Sequence, residues 1–362
     1  MPNKWGRFLA VLALSLGLLG AWFAWRLRQA SVPQPPLAVA SAEATPSATA
    51  PGLEKAVRSL MPGAGLFRDD WLRKDSTGWN LHLPRRRYAR ALSAYFKSGL
   101  QRLGLSCGVF EDRDFSQWRG FYLEAGGEKL TAVQDKGPAL AVVIDDWGYH
   151  TKVLAAMRDF PLRLTASVLP GLPHSGECAE AAFAAGHEVI LHLPMEPERK
   201  MPMLPGTIVI GMPLDEVSAW IGKHAATVPH MLGLNNHEGS KASADANLMG
   251  TVAAWLKQHG GYFLDSKTSA ASVGEAEARR AGIPYESRRV FLDNVDRPAD
   301  IEKYLRQAIA IARRTGSCIA IGHPRKNTFD VLAKVAPELE GEGVDMVRAS
   351  ELTLFDMGKP HD

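Results

Sequence analysis

The chain has 362 residues, 46% of them hydrophobic and 22% charged, with a formal net charge of +3. That length is enough for about two domains, and the composition is that of an ordinary folded protein. The charge is mild and no basic stripe interleaves with aromatics, so nothing calls for a nucleic-acid partner; Arg85-Arg86-Arg87 is a short solvated patch. Three cysteines, Cys107, Cys178 and Cys318, form no CxxC pair, and an odd count argues against a disulfide framework.

In chain order, residues 1–30 read as a transmembrane anchor or signal segment. Lys4 and Arg7 precede an apolar stretch over 8–25, at the lower limit for spanning a bilayer. Trp22 and Trp25 suit an interface belt, and no small-x-small site follows the apolar core at once, so an uncleaved anchor is preferred to cleavage near Ala38 to Ala44. The expected location is the bacterial inner membrane with the folded part in the periplasm, or outside the cell if the segment is cleaved. Residues 31–52, rich in Pro, Ala, Ser and Thr, read as an extended linker. Residues 53–134 read as a small α+β module. Helical spacing covers 53–60 and 87–103, the latter ending at Gly104, and strand alternation covers 79–83. Nothing in the module suggests chemistry or names a protein partner.

Over 138–355 strand-like and helix-like segments alternate. The strands expected are 140–144, 164–168, 188–192, 231–234, 262–264, 290–292, 318–321 and 345–347. The helices between them are 177–185, 214–226, 244–259, 273–281, 301–314 and 328–340. A βα repeat implies a parallel sheet with right-handed crossovers. Seven or eight units fit a closed (β/α) barrel better than an open sheet.

The most informative segment is Ala139-Leu140-Ala141-Val142-Val143-Ile144-Asp145-Asp146. Its apolar run reads as a buried parallel strand, and two adjacent carboxylates at the strand end repel unless a cation or a proton-transfer role holds them there. Other strands end in similar groups: His192, Pro194 and Glu196; Asn235-Asn236-His237-Glu238-Gly239-Ser240; Asp265-Ser266; Asp293-Asn294; and Gly322-His323-Pro324. Barrel geometry brings such residues to one rim. Carboxylates and imidazoles together can hold a divalent, zinc-like ion with a position left open for water. A spare carboxylate then serves as base and a spare His as acid, which suffices for metal-assisted hydrolysis of an amide or ester.

These residues resemble the polysaccharide deacetylase superfamily of metal-dependent carbohydrate esterases. The resemblance rests on Val143-Ile144-Asp145-Asp146, Gly186-His187-Glu188-Val189 leading into His192, and Ile321-Gly322-His323. The match is closer to the divergent polysaccharide deacetylase family. It is carried by His192-Leu193-Pro194-Met195-Glu196-Pro197, Asn235 to Ser240, Phe263-Leu264-Asp265-Ser266, Val290 to Asn294 and Ile321 to Pro324. The resemblance implies a distorted (β/α) barrel of about seven strands. It also implies Asp145 as catalytic base, Asp146 and His192 as metal ligands, and His323 as catalytic acid. The superfamily's second metal His, four residues after the first, is here Glu196; His237 at the next strand end is the rival third ligand and the preferred one. The superfamily's Arg-Pro-Pro-Tyr segment has no counterpart, its place being taken by Asn235 to Ser240. Asn235, Asn236, Ser240, Asp265 and Asp293 are expected to touch substrate or to support the ligands, with Asn236 or backbone N–H groups near it helping to stabilise an oxyanion.

The function implied is removal of acetyl groups from cell-envelope polysaccharide by a divalent metal, zinc in the first instance. The alternative is a barrel that has lost hydrolysis and binds a glycan or an envelope protein.

Overall fold

The computed structural model describes residues 51–86, 89–107, 111–114, 118–339 and 341–355. The anchor and nearly all of the linker expected from the sequence lie outside the described residues. No helix among those described is long and apolar enough to cross a membrane.

The first sheet runs β1 (Leu72–Asp75), β2 (Gly78–His82), β5 (Glu128–Asp135), β4 (Trp118–Ala125), β3 (Glu111–Asp114), and only β2–β5 is parallel. Burial alternates along β2 and β5, as in a sheet with one covered face. The helices α1 (Leu53–Leu60) and α2 (Ala89–Arg102) belong to the same core, which gathers Leu53, Val57, Phe96, Leu100, Phe121 and Leu130. Gly104, at φ +81°, follows α2 in the left-handed conformation expected of a helix stop.

The second sheet is parallel. Its strands are β6 (Ala139–Trp147), β7 (Thr165–Val168), β8 (Glu188–Met195), β9 (Met231–Glu238), β10 (Tyr262–Asp265), β11 (Tyr285–Ser287), β12 (Val290–Phe291), β13 (Ser317–Gly322) and β14 (Asp345–Val347). The ladder reads β11-β10-β9-β8-β7-β6-β13-β12, and β14 pairs the first half of β6. The two edge strands, β11 and β12, are separated in the chain by only Arg288 and Arg289. Both edges therefore lie close together and the sheet must curl. Strands such as β7, β8 and β10 are buried at every position, as expected where helices cover one face and the curl encloses the other. The helices are α3 (Leu154–Arg158), α4 (Ser175–Ala184), α5 (Leu214–Ala225), α6 (Ala246–His259), α7 (Gly274–Ala281), α8 (Pro298–Thr315) and α9 (Lys326–Val335). The expected α/β class holds, but the sheet is a curled half-barrel and not a closed barrel, since no pairing joins the edge strands β11 and β12 among the described residues, and it has nine strands instead of about seven. Periodicity missed β11 and α3, which span three and five residues. Elements that short hold too little pattern to register.

Two-residue periodicity sorts the side chains. Ala139, Ala141 and Val143 face the enclosed core with Ile190, Tyr262, Leu264, Ile319 and Ile321. Leu140, Val142 and Ile144 face the helices. The inward set continues upward into Asp145, His192 and His323, at the carboxyl ends of β6, β8 and β13. The described residues form one compact unit, and the first sheet's module packs against the amino ends of the barrel strands. There Arg68 donates to Glu188, the wholly buried first residue of β8 (3.3 Å).

Candidate metal centre

Asp145 follows the inward parity of β6, but Asp146 by parity belongs with the helix-facing residues. Two features re-aim it. The β6–β7 register shifts between Ile144 and Trp147, and Asp146 takes φ +62°, a strained conformation for a residue with a Cβ. Glu238 and Lys267 adopt the same kind of backbone at the ends of β9 and β10 (φ +54° and +55°). Such strain concentrates at functional rims. Gly239, at φ +75°, completes the turn after β9; a Cβ there would meet the Met195 Cβ at 2.8 Å.

Three donor atoms converge as a result. Asp146 Oδ1 lies 3.2 Å from His192 Nε2 and 3.1 Å from His237 Nδ1, and the two ring nitrogens are 3.2 Å apart. Asn235 decides what His192 carries. Its Nδ2 donates to Asp145 Oδ1 (2.9 Å) and Ser266 Oγ (3.1 Å), so its Oδ1 is the acceptor for Ser167 Oγ (2.6 Å) and His192 Nδ1–H (2.8 Å). A neutral His192 therefore turns the lone pair of Nε2 toward Asp146. Asp146 Oδ1 is buried and has no hydrogen-bond partner. In the tautomer of His237 that leaves Nδ1 unprotonated, three lone-pair atoms meet about 3 Å apart, and they repel one another unless a cation lies among them. Tetrahedral zinc with bonds of about 2.0–2.1 Å spaces its ligands at about 3.3 Å, so the set fits such an ion. The Asn235 contact is the outer support that fixes a ligating imidazole's tautomer.

The electrostatics agree. Burial alone would raise the Asp146 pKa, but the adjacent His192 and His237 hold its carboxyl far below the usual range. Burial pulls the His192 pKa down, and Asp145 and Asp146 outweigh it and raise it. The same negative field that holds a proton on His192 would hold a metal ion in its place.

His323 stands across the rim, its Nε2 3.7 Å from Asp146 Oδ2. Asp293 grips it twice, accepting from His323 Nδ1 (2.8 Å) and from its backbone N–H (2.7 Å), and also accepts from Thr328 Oγ1 (2.8 Å). Burial lowers the His323 pKa, but the bond and charge of Asp293 raise it above its ordinary value. The reciprocal contact outweighs burial and lowers the pKa of Asp293.

The other expected residues are less central. Glu196 does not join the cluster: its carboxylate accepts from Lys241 Nζ (2.5 Å) and Ile210 N–H (2.8 Å). Asn236 is spent as a brace, donating to Glu238 O and Thr268 Oγ1 and accepting from Ser266 N–H, so its amide is not free for an oxyanion. Ser240 accepts from Glu198 N–H and ties two loops. Asp265 caps the turn at Lys267 N–H (2.7 Å). His187 is structural, accepting from Leu164 N–H at Nδ1 and bonding Met157 O through Nε2. Sequence reasoning missed Arg288. Burial lowers its pKa against the opposing pull of Asp145 and Asp265, and it stacks on Phe291 with its Cζ 5.1 Å from the ring centroid. Its only sequence signal is its place between two short strands.

A family model for divergent polysaccharide deacetylases matches residues 142–353, which take in all of these residues. The chain belongs to that family. An uncharacterized protein of Escherichia coli strain K12, YibQ, is 39% identical over 59% of this chain and 66% of its own length. An uncharacterized protein of Haemophilus influenzae is 36% identical over 53% of this chain and 69% of its own. The chain thus spans about two thirds of these relatives. The crystal structure of the uncharacterized protein ATU2773 from Agrobacterium tumefaciens C58 is 25% identical, with a TM-score of 0.57 over 59% of this chain and 89% of that one. Its likeness supports the α/β fold described above.

Proposed function

We propose that this chain is a divalent-metal-dependent hydrolase that removes acyl groups, acetyl in the first instance, from cell-envelope polysaccharide. The observation that carries the reading is the convergence of Asp146, His192 and His237 on one point, with the Asp293-held His323 opposite. Zinc suits the donor set best. When bound, such an ion acts as a Lewis acid on the acyl carbonyl and on an attacking water.

The chain's own groups do the rest. Asn235 holds Asp145 Oδ1 and leaves Oδ2 beside the triad, 3.6 Å from His192 Nε2, where it can take the proton of an attacking water. His323, kept protonated by Asp293, gives its Nε2 proton to the departing amine or alcohol. Arg288 supplies positive charge near Asp145. The anchor, linker and periplasmic location belong to the proposal. Lys4 and Arg7 ahead of the apolar stretch support them, and the extended linker would let the rim reach a polymer.

The test is hydrolysis of acetylated glycans by the zinc-loaded full chain, with Asp145→Ala and His323→Ala beside it. Each variant should lose about 10²–10⁴-fold in kcat/KM while retaining metal. Metal binding without turnover on any acetylated sugar would favour the binding-module alternative.

A further inference from the structure

A cavity of about 390 Å³ opens beside the triad, with His237 in its wall. The rest of the wall is mostly apolar: Pro194, Met195, Met201, Pro202, Met203 and Leu204 contribute to it. His237 and Glu238 are its only ionisable members apart from the Tyr149 phenol. Resting on the hydrolase reading above, we propose that this cavity is an acyl-chain subsite that accepts an apolar chain much longer than acetyl on the group being cleaved.

Three observations carry the proposal. The first is size: about 390 Å³ holds roughly a dozen water-sized volumes of ~30 Å³ each, several times what an acetyl group fills. The second is polarity. The two prolines have no N–H and the Thr207 hydroxyl already donates to Leu204 O (2.6 Å), so a sugar ring placed there would find side-chain partners only at His237, Glu238 and Tyr149 and would face apolar wall elsewhere. The third is exposure. Met201, Met203 and Tyr149 are 37%, 50% and 50% exposed, an apolar lining displayed to solvent at the mouth of a polar site.

The chain is built to present this lining. After β8 it leaves the sheet and returns at Ile208, which bridges Met195; Glu196 N–H donates to Ile208 O (2.8 Å) and Ile208 N–H to Pro194 O (2.9 Å). The roots are locked further by the contacts of Glu196 with Lys241 and Ile210. Met201 and Met203 sit on the excursion between the roots. Unbranched thioethers there can repack around chains of different length. In the reaction, water adds to the acyl carbonyl and the C–N or C–O bond breaks. The chain leaves as a carboxylate, and the amine or alcohol takes the proton from His323.

The experiment compares octanoate and acetate binding to the full chain by calorimetry, for the wild type and a Met201→Gln/Met203→Gln variant. The p-nitrophenyl esters of the same two acids are assayed alongside. Octanoate should bind at least tenfold more tightly than acetate, and the variant should lose that margin while its acetate affinity and acetyl-ester turnover stay unchanged. Equal affinities, or an octanoate preference that survives both substitutions, would overturn the proposal. Acetyl-ester turnover reports on the hydrolase reading separately: its absence alongside tight, methionine-dependent octanoate binding would sink the reaction and keep the subsite.

Discussion

Replacing Arg68 by Met should destabilise the protein by about 3 kcal/mol. Arg68 lies in the small module, and its guanidinium is shared. Nε and Nη2 donate to the two oxygens of Asp70 (2.9 Å each), and Nη1 donates to Glu188 Oε2 (3.3 Å). Glu188 is wholly buried at the foot of β8. Its other oxygen accepts from Tyr262 Oη (2.7 Å), Ser350 N–H (3.0 Å) and Thr165 Oγ1 (3.2 Å). Removing one partner of a buried pair costs about 3–5 kcal/mol, because a charge is left uncompensated. The three neutral donors to Oε1 persist, and Arg348 still feels the charge of Glu188, which places the cost at the lower end. Glu188→Gln should cost less, since Arg68 keeps its bidentate partner Asp70. The double variant should recover at least 2 kcal/mol of the summed single costs. Urea unfolding of the full chain with all four proteins measures this coupling. An Arg68→Met variant within 0.5 kcal/mol of wild type, or strictly additive costs, would refute the claim that this contact secures the module to the barrel.

Two further predictions concern the rim. Asn235→Leu removes the acceptor of His192 Nδ1–H and should weaken zinc binding by about 10–100-fold in a competition titration; unchanged affinity would mean that the tautomer of His192 does not depend on Asn235. Asp293→Asn removes the charge that raises the His323 pKa. An acid with a raised pKa is competent below that pKa and fails as pH rises through it. The alkaline fall of kcat/KM should therefore begin above the ordinary histidine value of 6.5 and move to lower pH in the variant. A limb that does not move would assign the acid to another group.

The barrel was largely legible because its helices and buried strands are long enough to carry a period, and because polar residues recur after each apolar run. Asp145, Asp146, His192 and His323 were singled out by their place after apolar runs and by the family resemblance, and strand parity accounts for the inward aim of Asp145, His192 and His323. The backbone that aims Asp146 inward was not legible, since parity sends it outward and only the register shift and positive φ bring it back. The third ligand could not be decided from spacing. Glu196 leaves the strand direction after Met195 and meets Lys241, while β9 delivers His237. Arg68 and Glu188, 120 residues apart, belong to different sheets, so no local pattern joins them. One signal was available: a Glu that opens a strand reading Glu-Val-Ile-Leu-His-Leu-Pro-Met, buried at every position, needs a partner from elsewhere. Asn236 misled because adjacent polar residues at a strand end point to opposite faces, and only Asn235 faces the site.

The measurement that bears most directly on the account is metal content of the purified full chain after zinc loading, beside Asp146→Ala, His237→Ala and Glu196→Ala. About one zinc ion per chain is expected in the wild type and in Glu196→Ala, with loss in the other two. A wild-type chain that takes up no divalent ion, or a Glu196→Ala variant that loses it while His237→Ala keeps it, would contradict a centre built from Asp146, His192 and His237.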